Sequence, residues 1–259
     1  MIGAIIGDIV GSVYEFDAIK TKEFIFFKNK CFFTDDTVLT LAISKALIDG
    51  GKKEDYIKNL KEFTLKYKNK SYGKRYMNWA LTDKKQAYNS YGNGSAMRVS
   101  SVAWWFDTLE KVELAAKESA IVTHSHPEGI KGAQATAASI FLARTGESKD
   151  EIKNYIEKTY DYDLSRSLDS IRPNYSFDVT CQGSVPEAII AFLESKNFED
   201  AIRNAISLGG DADTLGAITG SIAEAFYGVP ETLKDKSLSY LDDYLIDVYK
   251  NFNNKLDNK

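Results

Sequence analysis

The chain has 259 residues, 44% of them hydrophobic, and a formal net charge of -4 at pH 7. This content supports a buried core and excludes a disordered or fibrous class, and without a basic excess the long-range attraction used by nucleic-acid binders is missing. Two cysteines, Cys31 and Cys181, cannot build a disulfide framework, no charged and apolar leader opens the chain, and every apolar run is broken by charge before the roughly 20 residues a membrane span needs, so a cytoplasmic, reduced monomer with no membrane or nucleic-acid partner is expected.

The first run, MIGAIIGDIVGS, is apolar apart from Asp8 and spaces Gly3, Gly7 and Gly11 by four, which is a helix-packing spacing and not the G-x-G-x-x-G dinucleotide fingerprint. The segment KEFIFFKN at 22–29 fits either one short strand or an irregular flap. Leu39, Ala42, Ile43, Ala46 and Leu47 then repeat with helical period until Gly50 and Gly51 stop them. Between Lys52 and Lys85 the chain is lysine-rich and reads as a polar helical appendage or a solvated face. In NSYGNGSAMR at 89–98, Gly92 and Gly94 permit backbone conformations that bring N–H groups close to a diphosphate; the competing reading is a tight turn. No Lys-Ser/Thr ending follows, so this is not a P-loop. PEGIKGAQATAASIFLAR at 127–144 starts with Pro127 at a first-turn position and carries the Gly and Ala of a tightly packed helix. SVPEAIIAFLES at 184–195 offers Ser184 and Glu187 as a capping box, and all four prolines read as sitting at element junctions. A last periodic run, Leu215 to Phe226, ends at Gly228 and Pro230, and residues from about 250 read as a frayed tail. The expected fold is all-α, one domain spanning 1–259.

Two of these helices open on an excess of oxygen ligands. Thr34, Asp35 and Asp36 precede the first, and Asp211, Asp213 and Thr214 open the second, where one N-cap residue each would suffice. Four carboxylates facing a core repel one another and are costly to desolvate, so they must be protonated, paired or bound to metal. Neighbouring sequence offers no basic partners. Hard oxygen donors suit Mg²⁺, Mn²⁺ or Ca²⁺, and the set can hold two divalent ions at the separation of about 3.5 to 4 Å found in two-metal hydrolytic sites. His124 and His126 lack nearby cysteines, which argues against zinc and leaves one of them for substrate contact. Arg98 reads as structural, and Tyr91 as a ring able to stack on a nucleobase or a sugar.

In order and content, GAIIGDIVGSVYEF, FTDDT, YGNGSAMRVSS, THSH and LGGDADTLGAITGSIAEAFYG resemble the ADP-ribosylglycohydrolase family, relatives of the dinitrogenase-reductase-activating glycohydrolase, from near residue 1 to about Pro230. The resemblance implies a compact multi-helix orthogonal bundle with two divalent cations, Mg²⁺ or Mn²⁺, at the bottom of a cleft for the ADP-ribose moiety of a modified protein or small molecule. It implies Thr34, Asp35, Asp36, Asp211, Asp213 and Thr214 as metal ligands, with Asp213 bridging, and Glu15 and Asp36 as catalytic residues. Substrate would meet Tyr91, Gly92, Asn93, Gly94, Ser95, Met97, His124, Gly209 and Gly210. The implied reaction is hydrolysis of a C1″ glycosidic bond. Arginine is favoured as leaving group because Glu15 lies in a YEF like that of arginine-directed relatives. A dinuclear phosphoester hydrolase and a non-catalytic ADP-ribose-binding or structural member, as the family's resemblance to a lens crystallin allows, are the alternatives.

Overall fold

A computed structural model describes residues 1–259. Its helices are, in chain order, α1 (Ile2–Gly11), α2 (Asp35–Asp49), α3 (Lys53–Lys66), α4 (Lys74–Ala80), α5 (Gly94–Met97), α6 (Ser100–Trp105), α7 (Leu109–Ile121), α8 (Pro127–Arg144), α9 (Lys149–Tyr160), α10 (Leu168–Ile171), α11 (Cys181–Leu193), α12 (Phe198–Ile206), α13 (Ala212–Tyr227), α14 (Glu231–Leu238) and α15 (Asp243–Asp257). No strand forms; the nearest approach to one is a single antiparallel bridge between Gly92 and Thr180. The all-α expectation therefore holds, and the 22–29 segment is an irregular loop. No helix is long and apolar enough to cross a membrane.

Glycine spacing in α1 sets the geometry of the centre. A Cβ on Gly3 would collide with the Gly220 carbonyl, one on Gly7 with that of Gly216, and one on Gly11 with that of Ala212. Each rise of four along α1 is matched by a fall of four along α13, so the two helices run antiparallel at backbone contact. The C-terminal end of α1 consequently lies against the N-terminal end of α13. Every residue of α1 is buried, and α8, α11 and α12 close around α13. Small residues on α8, among them Gly132, Ala133, Ala135, Ala137 and Ala138, are buried in its contacts with those neighbours.

Four local expectations differ from what is found. The 52–85 region is not an appendage: α3 buries Tyr56, Ile57, Leu60 and Phe63 against α2, and its solvated face carries Lys53, Glu54, Lys58, Glu62 and Lys66. Helix α11 begins at Cys181 with Thr180 as N-cap, so Ser184 is inside it and donates to the Thr180 and Asp178 carbonyls. Pro186 accordingly sits within the helix rather than at a junction, where it forgoes one backbone bond close to the N-terminus. Finally, the C-terminal segment is ordered in α15 to Asp257, because Phe252 is fully buried and packs on Trp105 at 5.3 Å between ring centroids.

Candidate functional site

A cavity of about 570 Å³ opens where the ends of α1, α2 and α13 converge. Antiparallel packing delivers Glu15, on the turn after α1, to Asp211 and Asp213; one carboxylate oxygen from each of the three lies within 4.8 Å of the others. The third helix end is brought in by Asp8. This wholly buried carboxylate accepts from the Thr34 hydroxyl at 2.7 Å, from Thr34 N at 3.0 Å and from Thr37 N at 3.0 Å, which pins the first turn of α2 to the middle of α1. Asp35 and Asp36 thereby join the cavity floor, and Asp36 Oδ2 lies 3.5 Å from the Thr214 hydroxyl.

The floor is short of cations. No Lys or Arg forms an ion pair with Glu15, Asp8, Asp35, Asp36, Asp211 or Asp213. Burial, followed by repulsion from Asp213 and Asp8, raises the carboxyl pKa of Asp35 and Asp36 well above the usual range. Burial and then Asp211 do the same to Asp213, while burial lifts Asp211 to about 6. Glu15 is pushed up to about 8 by burial and by Asp213 and Asp8. Asp36 Oδ1 is buried with no hydrogen-bond partner. A concave, oxygen-only donor set with an orphaned buried oxygen and no ion-paired cation fits hard divalent cations. The helix N-termini behind it favour the ionised form that ligands require.

The remaining expected site residues divide between wall and support. Tyr91, Gly92, Asn93, Gly94, Met97 and His124 line the cavity. Asn93 Nδ2 donates to Asp211 Oδ2 at 2.7 Å, linking this wall to the acidic floor. Its loop is held in place by Asn93 N donating to the Val179 carbonyl and Cys181 N donating to that of Tyr91. Gly92 and Gly94 do not use positive φ, contrary to the conformational argument from sequence. Their requirement is space, since a Cβ on Gly94 would lie 3.3 Å from His124 Nε2. Of the two histidines, His124 faces the cavity, and His126 caps α8 by accepting from Glu128 N at 3.1 Å.

Four expected residues stand off the wall. Thr34 is the N-cap of α2, with its hydroxyl committed to Asp8. Ser95 is buried and donates to the Gly129 carbonyl at 2.7 Å, so its hydroxyl ties α5 to α8 instead of facing the cavity. Gly209, at φ +66°, is pressed against Ile19 and Lys20, and Gly210 against the Tyr175 ring. Both glycines support the loops around the cavity without entering it.

Sequence reasoning passed over Asp8 as a mere interruption of an apolar run. A lone charge on a helix with no polar face was the available signal, because such a group must find donors. It also missed Phe16, Ser71, Arg75 and Tyr88, which line the cavity together with Phe177 and Val179. Phe16 and Phe177 stack at 5.9 Å across the mouth beside Glu15, and the pair is largely exposed. All of these side chains except Arg75, at the start of α4, come from loops, where periodicity carries no information.

The ADP-ribosylglycohydrolase family pattern matches residues 1–256. ADP-ribosylhydrolase ARH3 of Homo sapiens is 26% identical over 92% of this chain and 88% of its own length. ADP-ribosylarginine hydrolase Tri1 of Pseudomonas putida is 30% identical over 53% of this chain and 39% of its own. A solved structure described as an ADP-ribosylglycohydrolase-related protein complex superposes with a TM-score of 0.69 at 20% identity, over 92% of this chain and 95% of that one, and shares the fold.

Proposed function

This chain belongs to the ADP-ribosylglycohydrolase family and is an ADP-ribosyl hydrolase, and we propose that it cleaves the C1″ glycosidic bond of ADP-ribosylated substrates at a centre for two divalent cations, Mg²⁺ or Mn²⁺. The observation that carries this reading is the buried carboxylate floor with no cationic partner and an orphaned Asp36 oxygen. Asp35, Asp36, Asp213 and Thr214 would hold one ion, and Asp211 and Asp213 stand ready for the second, with Glu15 beside them. When bound, the ions supply the positive charge that orients the ribose hydroxyls and a water and offsets the repulsion within the floor.

The protein's own groups do the rest. Glycosidic cleavage passes through an oxocarbenium-like state that gains from nearby carboxylates and fixed sugar orientation. Asp35 and Asp36 provide that negative field. Glu15, held at a raised pKa beside the mouth, passes a proton to the leaving group or takes one from water. Asn93 keeps Asp211 aimed into the floor, and the Gly92–Gly94 turn leaves room for a diphosphate against the wall. Arginine is the leaving group we assign: a planar guanidinium suits the stacked Phe16 and Phe177 rings beside the Glu15 carboxylate, and the Tri1 relative is named for that linkage.

The test is a panel of ADP-ribosylated arginine, serine and acetyl-ester substrates, each with Mg²⁺, Mn²⁺ or chelator. Intact ADP-ribose should be released, fastest from arginine, only with metal. Release of AMP or phosphate would instead mark a phosphoester hydrolase. Binding without turnover of any substrate would mark a non-catalytic ADP-ribose module.

A further inference from the structure

A chain of polar side chains runs from Arg98 through Thr123 to His124 at the cavity wall. Arg98 is wholly buried, and its Nη2 donates to the Ser119 carbonyl at 3.2 Å and to Thr123 Oγ1 at 2.8 Å. Thr123 Oγ1, also fully buried, lies 2.7 Å from His124 Nδ1. On its far side the imidazole reaches the cavity, with Nε2 at 3.3 Å from where a Cβ of Gly94 would sit and 3.7 Å from the equivalent point on Gly92.

We infer that Arg98 and Thr123 fix His124 as the neutral Nε2–H tautomer, making it a dedicated hydrogen-bond donor to an oxygen of the ligand seated on the Gly92–Gly94 turn. A guanidinium only donates, so it occupies a lone pair of Thr123 Oγ1. The hydroxyl has a single proton, and the one acceptor the structure sets against it is His124 Nδ1. Were Nδ1 protonated instead, the Thr123 proton would be buried without a partner, which is the more costly arrangement. Nδ1 must therefore be the bare nitrogen, and in a neutral ring the proton sits on Nε2. Neutrality follows from the same geometry: burial first, then the Arg98 and Arg75 charges, hold the imidazole pKa well below its usual value. Oxygens of a diphosphate or a ribose are the acceptors such a donor matches.

This inference rests on the ADP-ribose reading for its ligand, though not for its tautomer. Only two histidines are present, so long-range ¹H–¹⁵N correlation spectra of the full chain resolve His124 directly. The expected spectrum of the ligand-free protein has Nε2 protonated and Nδ1 bare. Arg98 is too deeply buried for a clean variant, so Thr123 is the lever. Thr123→Val should abolish the single-tautomer spectrum and weaken ADP-ribose binding in Mg²⁺ about tenfold, the loss of one good hydrogen bond, and Thr123→Ser should restore both. His124→Gln, whose amide reaches the Nε2 position, should keep most of the affinity that His124→Asn loses. Protonated Nδ1 in the native chain, an unchanged tautomer in Thr123→Val, or native ADP-ribose affinity in His124→Asn would overturn the inference. If the native chain does not bind ADP-ribose at all, the functional reading and the ligand half of this inference both fail, while the spectrum still decides the relay.

Discussion

Asp8 lies three residues before Gly11 and Glu15 four residues after it, and the two carboxylates do opposite work. Glu15 is beside the mouth with its pKa raised to about 8, a value suited to proton transfer near neutral pH. Replacing it with Gln keeps the shape and removes the proton exchange, so Glu15→Gln should lower kcat by roughly 10² to 10⁴ while ADP-ribose binds within a few-fold of the native affinity. Near-native turnover measured by release of ADP-ribose would remove Glu15 from the chemistry. Asp8 touches no cavity space and instead holds the α2 N-terminus through Thr34 and Thr37. Asp8→Asn places an amide N–H among backbone donors, which should cost about 1–3 kcal/mol in denaturant unfolding and weaken Mg²⁺ binding by displacing Asp35 and Asp36. Unchanged Mg²⁺ affinity would show that α2 holds its position without Asp8. The acidic clusters were legible in the sequence because they exceeded what capping needs. Thr34 shows the limit of that reading: the local sequence could not reveal a donor demand from Asp8, 26 residues away.

Among elements, the α1–α13 pair decides whether the floor exists. Backbone contact at Gly7 and Gly216 leaves no volume for a methyl group, so Gly7→Ala must push the helices apart. We expect a loss of about 1–3 kcal/mol or more in stability together with loss of metal-dependent activity, since Glu15 and Asp213 ride on opposite members of the pair. A Gly7→Ala protein with native activity and stability would contradict the packing. The glycine spacing was readable as helix packing because it repeats once per turn, yet its partner was not, because the matching Gly216 and Gly220 lie in a helix far along the chain. Misplacing the start of α11 has another cause. Ser184 and Glu187 satisfy the capping-box pattern, but Thr180 accepts from Gly183 N and starts the helix earlier, as Asp178 holds the preceding turn through Thr180 N.

For the whole molecule the carboxylate floor couples folding, protons and cations. Asp211 and Glu15 have folded-state pKa values of about 6 and about 8, above their ordinary values of 3.8 and 4.5, with Asp35, Asp36 and Asp213 also raised. Between the ordinary and raised values the folded state binds more protons than the unfolded one. Stability in chelator should therefore fall as pH rises from about 4.5 to about 8. Divalent cations replace the protons, so their affinity should rise over the same range. At a hundred times the dissociation constant they should add about 2.7 kcal/mol, or roughly 5–10 °C in Tm. A chelated protein that gains stability from pH 5 to pH 8, by differential scanning calorimetry, would refute the coupling. Fold class and the acidic floor were legible at this scale because long helices and paired motifs write themselves into periodicity. Phe16, Arg75 and Tyr88 were not, since they meet only when separate loops and the start of α4 converge on the mouth.

The claim on which the functional account stands is that these carboxylates grip two cations, and anomalous diffraction from crystals grown with Mn²⁺ tests it most directly. Two adjacent peaks enclosed by Asp35, Asp36, Asp211 and Asp213 are expected. A single peak there, or manganese bound only elsewhere, would contradict the two-cation centre.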